Sequence, residues 1–223
     1  MERVPDHADP IRRRLGAAGY LRRGLDKVVL RPLGVRFVWL LALEAADLPI
    51  SLADEAFDVR LLRVEEVAHF ASDPTNQMGA EFVERSRGGY DLCFGVLSGD
   101  RLAGYAWCAL GSVEAAHAAG ADLALPGDTA YLYKGFTHPD FRGRGLYPAC
   151  MGAALSALRA SGIERLVAFV HWHNTVALRS CHRAGYRDLG RMLIGPRGPL
   201  SVPDAVRALG IRVGAEAEVA PRG

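Results

Sequence analysis

The stretch from Asp128 to Val170 restricts the possible folds of this chain more than any other. Asp128 to Thr137 is rich in aromatics and reads as a strand, and His138 to Arg144 reads as a loop. Leu146 to Ala160 then has helical periodicity, with Leu146, Ala149, Cys150, Ala153, Ala154, Ala157 and Leu158 on one face. Pro148 falls in the first turn, where proline is tolerated, and Ser161-Gly162 ends the helix. Leu166 to Val170 is a continuous apolar run, the mark of a strand covered on both faces. A strand-helix-strand unit of this kind requires a parallel pair joined by a right-handed crossover.

The flanking sequence adds antiparallel partners. Tyr90 to Leu97 and Arg101 to Leu110 are strands joined by Ser98-Gly99-Asp100, a turn composition that makes them a hairpin. Before them, Val59 to Arg63 reads as a strand, and Val64 to Ala71 and Asn76 to Ser86 as helices. After the crossover, Asn174 to Ala184 is a helix stopped by Gly185, and Tyr186 to Ile194 is a strand in which Gly190 suggests a bulge. The sum is α/β: a mixed, mostly antiparallel central sheet with one parallel strand-helix-strand unit and helices on both faces. Val35 to Leu43 is β-rich and reads as an extra strand, and Ser51 to Phe57 as a connector. Ala115 to Pro126, rich in Ala and Gly, has no clear pattern. The expected organisation is an N-terminal basic extension over 1–56, a main domain over 57–195 and a C-terminal segment over 196–223.

At 223 residues, half of them hydrophobic and 23% charged, the chain has the balance of an ordinary globular protein. A net charge of +2 is too small to indicate a specific nucleic-acid partner. No apolar run is long enough to span a bilayer, and the acidic N-terminus does not read as a secretory signal. Cys93, Cys108, Cys150 and Cys181 are widely spaced, which fits reduced thiols in a cytoplasm. Charge is uneven, because residues 1–36 carry nine basic and four acidic residues. Ile11 to Leu30 forms a basic amphipathic segment, which is either a solvated helix leaning on the main domain or a contact for a membrane or polyanion.

Chemistry concentrates in Phe136-Thr137-His138-Pro139-Asp140-Phe141-Arg142-Gly143-Arg144-Gly145-Leu146-Tyr147. A strand enters a loop with two glycines and two arginines, and the loop opens a helix. Backbone N–H groups at a helix start lack partners, and the helix dipole favours an anion there. Glycines allow close backbone approach, and arginines add charge-assisted hydrogen bonds. This arrangement suits a phosphate.

Twenty-nine residues after Gly145 come Asn174 and Ala177, then Gly185 and Tyr186. Arg142-Gly143-Arg144-Gly145-Leu146-Tyr147, followed by Asn-x-x-Ala and Gly-Tyr in this order, resembles the GNAT superfamily of N-acetyltransferases, over roughly Phe57 to Ile194. Two positions depart from that pattern: Tyr147 stands where the loop motif ends in Gly or Ala, and Cys181 stands where many members place a tyrosine.

The resemblance implies an acyl-CoA N-acyltransferase fold and direct transfer of an acetyl group from acetyl-CoA, used as co-substrate without a metal, to a primary amine, with a small-molecule acceptor favoured. It implies that the backbone at Phe136 and Thr137 pairs with the pantetheine arm. By the same resemblance, the loop from Arg142 through Gly143, Arg144, Gly145 and Leu146 to Tyr147 takes the pyrophosphate, and Asn174 meets the pantetheine or a bound water. Cys181 then stands where the family's tyrosine protonates the leaving thiolate. Tyr131, Tyr133, His171, His173, Glu81 and Glu84 are candidates for the base that deprotonates the amine, and Tyr133 is taken as the second catalytic residue beside Cys181.

Rival readings stay open. A longer acyl-CoA or an aminoacyl-tRNA or carrier-linked donor fits related architecture, and so does a non-catalytic acyl-CoA-binding module. His171, His173, Cys181 and His182 lack the second close-spaced pair that a zinc site needs. The N-terminal segment is a candidate for homodimerisation or for peripheral contact with a membrane.

Overall fold

The structure, a computed structural model, describes residues 10–47, 56–89 and 91–217. The expected connector over 51–57 lies outside them as far as residue 55. Helix α1 (Pro10–Leu25) is interrupted at Gly16 and continues into one π-helical turn, Asp26–Leu30. Strand β1 (Arg36–Glu44) follows, then β2 (Asp58–Leu61), α2 (Val64–Ala71), α3 (Ala80–Arg87), β3 (Asp91–Ser98) and β4 (Arg101–Leu110). Two short strands, β5 (Ser112–Val113) and β6 (Leu123–Ala124), precede β7 (Thr129–Thr137), α4 (Leu146–Arg159), β8 (Arg165–His171), α5 (Thr175–Arg183) and β9 (Arg187–Gly195). The described chain closes with β10 (Gly198–Pro199), α6 (Asp204–Ala208) and β11 (Arg212–Val213).

The main sheet has eight strands in the order β10-β9-β1-β8-β7-β4-β3-β2, and β5, β6 and β11 form a second, small sheet. Among the described residues only β7 and β8 run parallel, across the α4 crossover; the other neighbouring strands of the main sheet are antiparallel. This is the mixed α/β architecture read from the sequence. The extra strand expected near Val35 to Leu43 is β1, and it lies in the interior of the sheet. Leu41 pairs with Ala168 of β8 on one side and with Asp188 of β9 on the other. Beside it, Leu40 faces Gly190, whose φ of +132° marks the expected bulge. A Cβ at Gly190 would come within 2.9 Å of the Pro203 ring.

Helices α4 and α5 cover one face, where Leu41, Leu43, Phe94, Ala130, Leu132 and Ala168 pack against Cys150, Met151 and Leu155. The stripe α4 buries is rotated from the expected one. Met151 and Leu155 turn inward and Ala157 is exposed, because larger side chains release more apolar area from water. On the opposite face, α2 and α3 cover Tyr105 and Trp107, and the small sheet with α6 covers Val38, Leu40, Val167 and Met192. The helix expected over Asn76 to Ser86 is divided. Asp73 caps a tight 3-10 turn over Pro74–Asn76, accepting from the Thr75 N–H at 2.8 Å, and Gln77 is left-handed (φ 53°). Buried Asn76 donates its side-chain amide to the Phe70 carbonyl at 3.0 Å, so this segment is tied to the end of α2 and α3 starts only at Ala80.

Candidate active site

The parallel ladder between β7 and β8 runs from Thr129↔Arg165 to Leu132↔Ala168 and stops, although β7 continues to Thr137 and β8 to His171. The cause lies on the other edge of β7. Cys108 of β4 faces Leu132, but Trp107 faces Lys134, so Tyr133 is an extra residue in the ladder. Such a bulge bends its strand. From Tyr133 onward β7 leans away from β8 and leaves a cleft. Backbone groups alternate in direction along a strand, so those of Lys134 to Thr137 that turn from β4 face this cleft without a strand partner. Phe136 and Thr137 are on this edge. The Phe136 ring stacks on Tyr105 at 5.3 Å on the α2–α3 side.

The glycine loop stands at the end of the same strand. The His138 N–H donates to the Ala103 carbonyl at 2.9 Å, and Arg142 Nε donates back to the Thr137 carbonyl at 3.2 Å. Arg142, Gly143, Arg144 and Gly145 are exposed. Gly143 (φ 82°) and Gly145 (φ 72°) adopt the left-handed conformation that favours glycine, and an added Cβ would meet nothing at either, so conformation and not space demands them. Gly145 caps α4 without a side chain, and the first intrahelical bond is from the Ala149 N–H to the Gly145 carbonyl. The N–H groups of Leu146 and Tyr147 therefore point out of the helix start, and Pro148 has none to satisfy. Leu146 itself is buried beneath the helix.

Asn174 begins α5 across the cleft. Its Oδ1 accepts from the Ala177 N–H at 3.2 Å, which explains the Asn-x-x-Ala spacing as an N-cap.

The two departures from the family pattern meet each other. Tyr147 Oη lies 3.6 Å from Cys181 Sγ. Its ring covers Gly135, where an added Cβ would lie 2.7 Å from Cε2. Tyr147 therefore bridges from β7 to α5 on the α4 side of the sheet. Cys181 is 1% exposed, and burial pushes its thiol up to about 11. Burial also raises the Tyr147 phenol well above its ordinary value.

Tyr133 lies on the opposite face, so the structure does not bring it together with Cys181. Its hydroxyl donates to Asp91 Oδ2 at 2.6 Å, and Arg85 Nε holds the same carboxylate oxygen. Burial raises this phenol too. Phe82 stacks on its ring at 6.3 Å, and His117 stands 5.4 Å away. Asp91 and Arg85 escaped the sequence reading, since only the fold of α3 against β3 joins them.

The imidazoles of His171 and His173 stack at 5.4 Å at the end of β8. His173 Nδ1 is 3.6 Å from Asp26 Oδ1, longer than a hydrogen bond, and Arg31 Nε donates to Asp26 Oδ2 at 2.9 Å. Burial holds both imidazoles below the ordinary histidine pKa. Among the other base candidates, Tyr131 is buried, Glu84 pairs with Arg87 in solvent, and Glu81 is exposed on α3. His182 pairs with Asp188 at 3.0 Å on the outer side of α5.

A strand pair opened by a bulge, with a glycine loop and a helix start at its mouth, defines a class of acyl-group-transferring proteins. The chain belongs to the acetyltransferase (GNAT) family, whose model matches residues 59–186. No curated protein matches it in sequence. Among solved structures, an acetyltransferase of the GNAT family from Colwellia psychrerythraea is similar at 14% identity and a TM-score of 0.51, covering 71% of this chain and 55% of that one. A GNAT-family protein from Novosphingobium aromaticivorans is 21% identical with a TM-score of 0.47, covering 72% and 65%. AAC(6')-Iy in complex with a CoA-S-monomethyl-acetylneamine bisubstrate analogue is 15% identical with a TM-score of 0.48, covering 59% and 90%. The chain spans under two thirds of the length of the first structures it matches.

Proposed function

We propose that this chain transfers an acetyl group from acetyl-CoA directly to the primary amine of a small molecule. The observation that carries this reading is the Lys134–Thr137 edge of β7, which has no strand partner on the cleft side and is continuous with the exposed N–H groups at the start of α4. In this reading the pyrophosphate rests on the N–H groups of Leu146 and Tyr147 between Arg142 and Arg144. The pantetheine arm pairs with the β7 edge at Phe136 and Thr137, and an N–H of that edge polarises the thioester carbonyl. The Asn174 amide faces the arm from the other side of the cleft. Holding both reactants in one cleft replaces a bimolecular encounter, which is worth up to about 7–11 kcal/mol in ideal cases.

The reaction forms a carbon–nitrogen bond and breaks the carbon–sulfur bond, so the amine loses a proton and the thiolate gains one. A neutral imidazole is the group to accept the first. His171, kept uncharged by burial and backed by His173 and Asp26, fills that role. For the second, the donor is the Cys181 thiol together with the Tyr147 hydroxyl 3.6 Å from it. Tyr133 acts instead through Asp91 and Arg85, fixing the bulge that opens the cleft.

Thermal unfolding with acetyl-CoA, free CoA and a long-chain acyl-CoA tests the donor. Acetyl-CoA at roughly 100 times its dissociation constant should stabilise the fold by about 2.7 kcal/mol. Stabilisation by the long-chain donor alone replaces acetyl transfer with lipid-type acyl transfer, and no shift with any CoA species removes the reading altogether. A positive result leads to an amine screen followed by thiol release.

A further inference from the structure

The N-terminal helix is amphipathic in the inverted sense. From Gly19 to Leu30 its inward face is Gly19, Arg22, Asp26 and Leu30, of which Gly19 and Asp26 are buried. Two of these four are charged, and both make polar contacts. Arg22 lies 5.6 Å over the Trp172 ring and reaches the Trp172 carbonyl, and Asp26 meets Arg31 and His173. The outward face is apolar. Leu21 (72% exposed), Leu25 (48%), Val28 (73%) and Val29 (42%) follow the spacing of a single helical stripe. Tyr20 and Leu33 extend it. These six account for most of the exposed large hydrophobic residues among the described residues. A patch of this kind on a globular protein marks an interaction surface.

We propose that this face docks peripherally on an anionic lipid bilayer. Charge selects the occupant. Between Gly16 and Val35 the chain carries Arg22, Arg23, Lys27 and Arg31, against the single acid Asp26. That acid is 3% exposed and paired with Arg31, so the solvent side of the helix presents Arg23 and Lys27 on one flank of the apolar stripe. Apolar side chains entering the headgroup boundary, with cations beside them, fit anionic lipid. A second copy fits poorly. A closed two-fold dimer sets a patch against itself, and this patch carries exposed cations with no exposed acid to meet them. No helix among the described residues is long and apolar enough to cross a membrane, so the contact is with the surface.

The test is co-sedimentation of the full chain with vesicles of phosphatidylcholine alone or mixed with phosphatidylglycerol. Two exposed cations, Arg23 and Lys27, at about fivefold each should make binding about 25-fold tighter on the anionic vesicles, and added salt should weaken it. Val28→Glu and Leu25→Glu, at positions that already face solvent, should abolish binding while leaving the unfolding midpoint unchanged. Arg23→Glu with Lys27→Glu should remove the preference for anionic lipid. Equal binding to both vesicle types, or binding that survives Val28→Glu, overturns the proposal. So does a concentration-dependent dimer, measured by sedimentation velocity, that Val28→Glu dissolves while vesicles are not bound. The unfolding shift with acetyl-CoA is read separately, so a failure here leaves the acetyl-transfer reading standing.

Discussion

At the scale of single residues, the contact between Tyr147 and Cys181 has the sharpest consequences. A phenol and a thiol at 3.6 Å, both held protonated by burial, form a neutral acid pair. Tyr147→Phe keeps the ring over Gly135 and removes only the hydroxyl. It should lower kcat roughly a hundredfold, at the lower end of general-acid contributions, with KM for acetyl-CoA changed little. Cys181→Ala tests the thiol in the same way, and a loss of kcat there without one in Tyr147→Phe assigns the proton to Cys181. An unchanged kcat in Tyr147→Phe would exclude the hydroxyl as the acid. His171 and His173 make a prediction about stability. Both have folded-state pKa values below the ordinary 6.5, so the folded chain resists protonation that the unfolded chain accepts. Their contribution is complete above about pH 6.5 and is lost as pH falls below it. Asp26 opposes this shift, and Arg31 reinforces it. Glu44 and Glu66 have lowered pKa values and report only below their ordinary 4.5. The unfolding midpoint should therefore drop between about pH 7 and pH 5, and His171→Asn with His173→Asn should flatten that slope. Some of these residues were legible. Glycine at two left-handed positions and an N-capping asparagine leave local spacing in a sequence. Asp91 with Arg85 and Asp26 with His173 leave none, because each pair forms only when separate elements pack.

At the scale of elements, β1 matters most. Val38, Leu40, Leu41 and Leu43 are all fully buried. At about 1.5–3 kcal/mol each, their burial is comparable to the whole stability of a typical domain, about 5–15 kcal/mol. A chain lacking residues 1–34 should still unfold cooperatively. One lacking residues 1–46 should show no cooperative transition by circular dichroism, because β8 and β9 lose the strand between them. Helix α2 and the β3–β4 hairpin could be read from the sequence because their signals are local and periodic. The sheet of β5, β6 and β11 could not: it joins two-residue strands from distant segments, too short for any periodicity to show.

For the whole molecule, the bulge at Tyr133 connects the sheet to the site. It divides one sheet into a continuous part and an open part, and places Tyr147 with Cys181 on one side and Tyr133 with Asp91 on the other. The order of strand, glycine loop and helix was visible in the chain. The opening was not, since it depends on which residue of β7 is left out of its ladder with β4. The position of β1 also bears on synthesis. This strand leaves the ribosome before both of its neighbours, β8 and β9, more than a hundred residues away. At about 5–20 residues per second, it waits on the order of ten seconds with an apolar stretch from Phe37 to Leu43 unpaired. During that interval the nascent chain presents the segment most prone to aggregate, and the sheet interior closes only when the last third of the protein has been made.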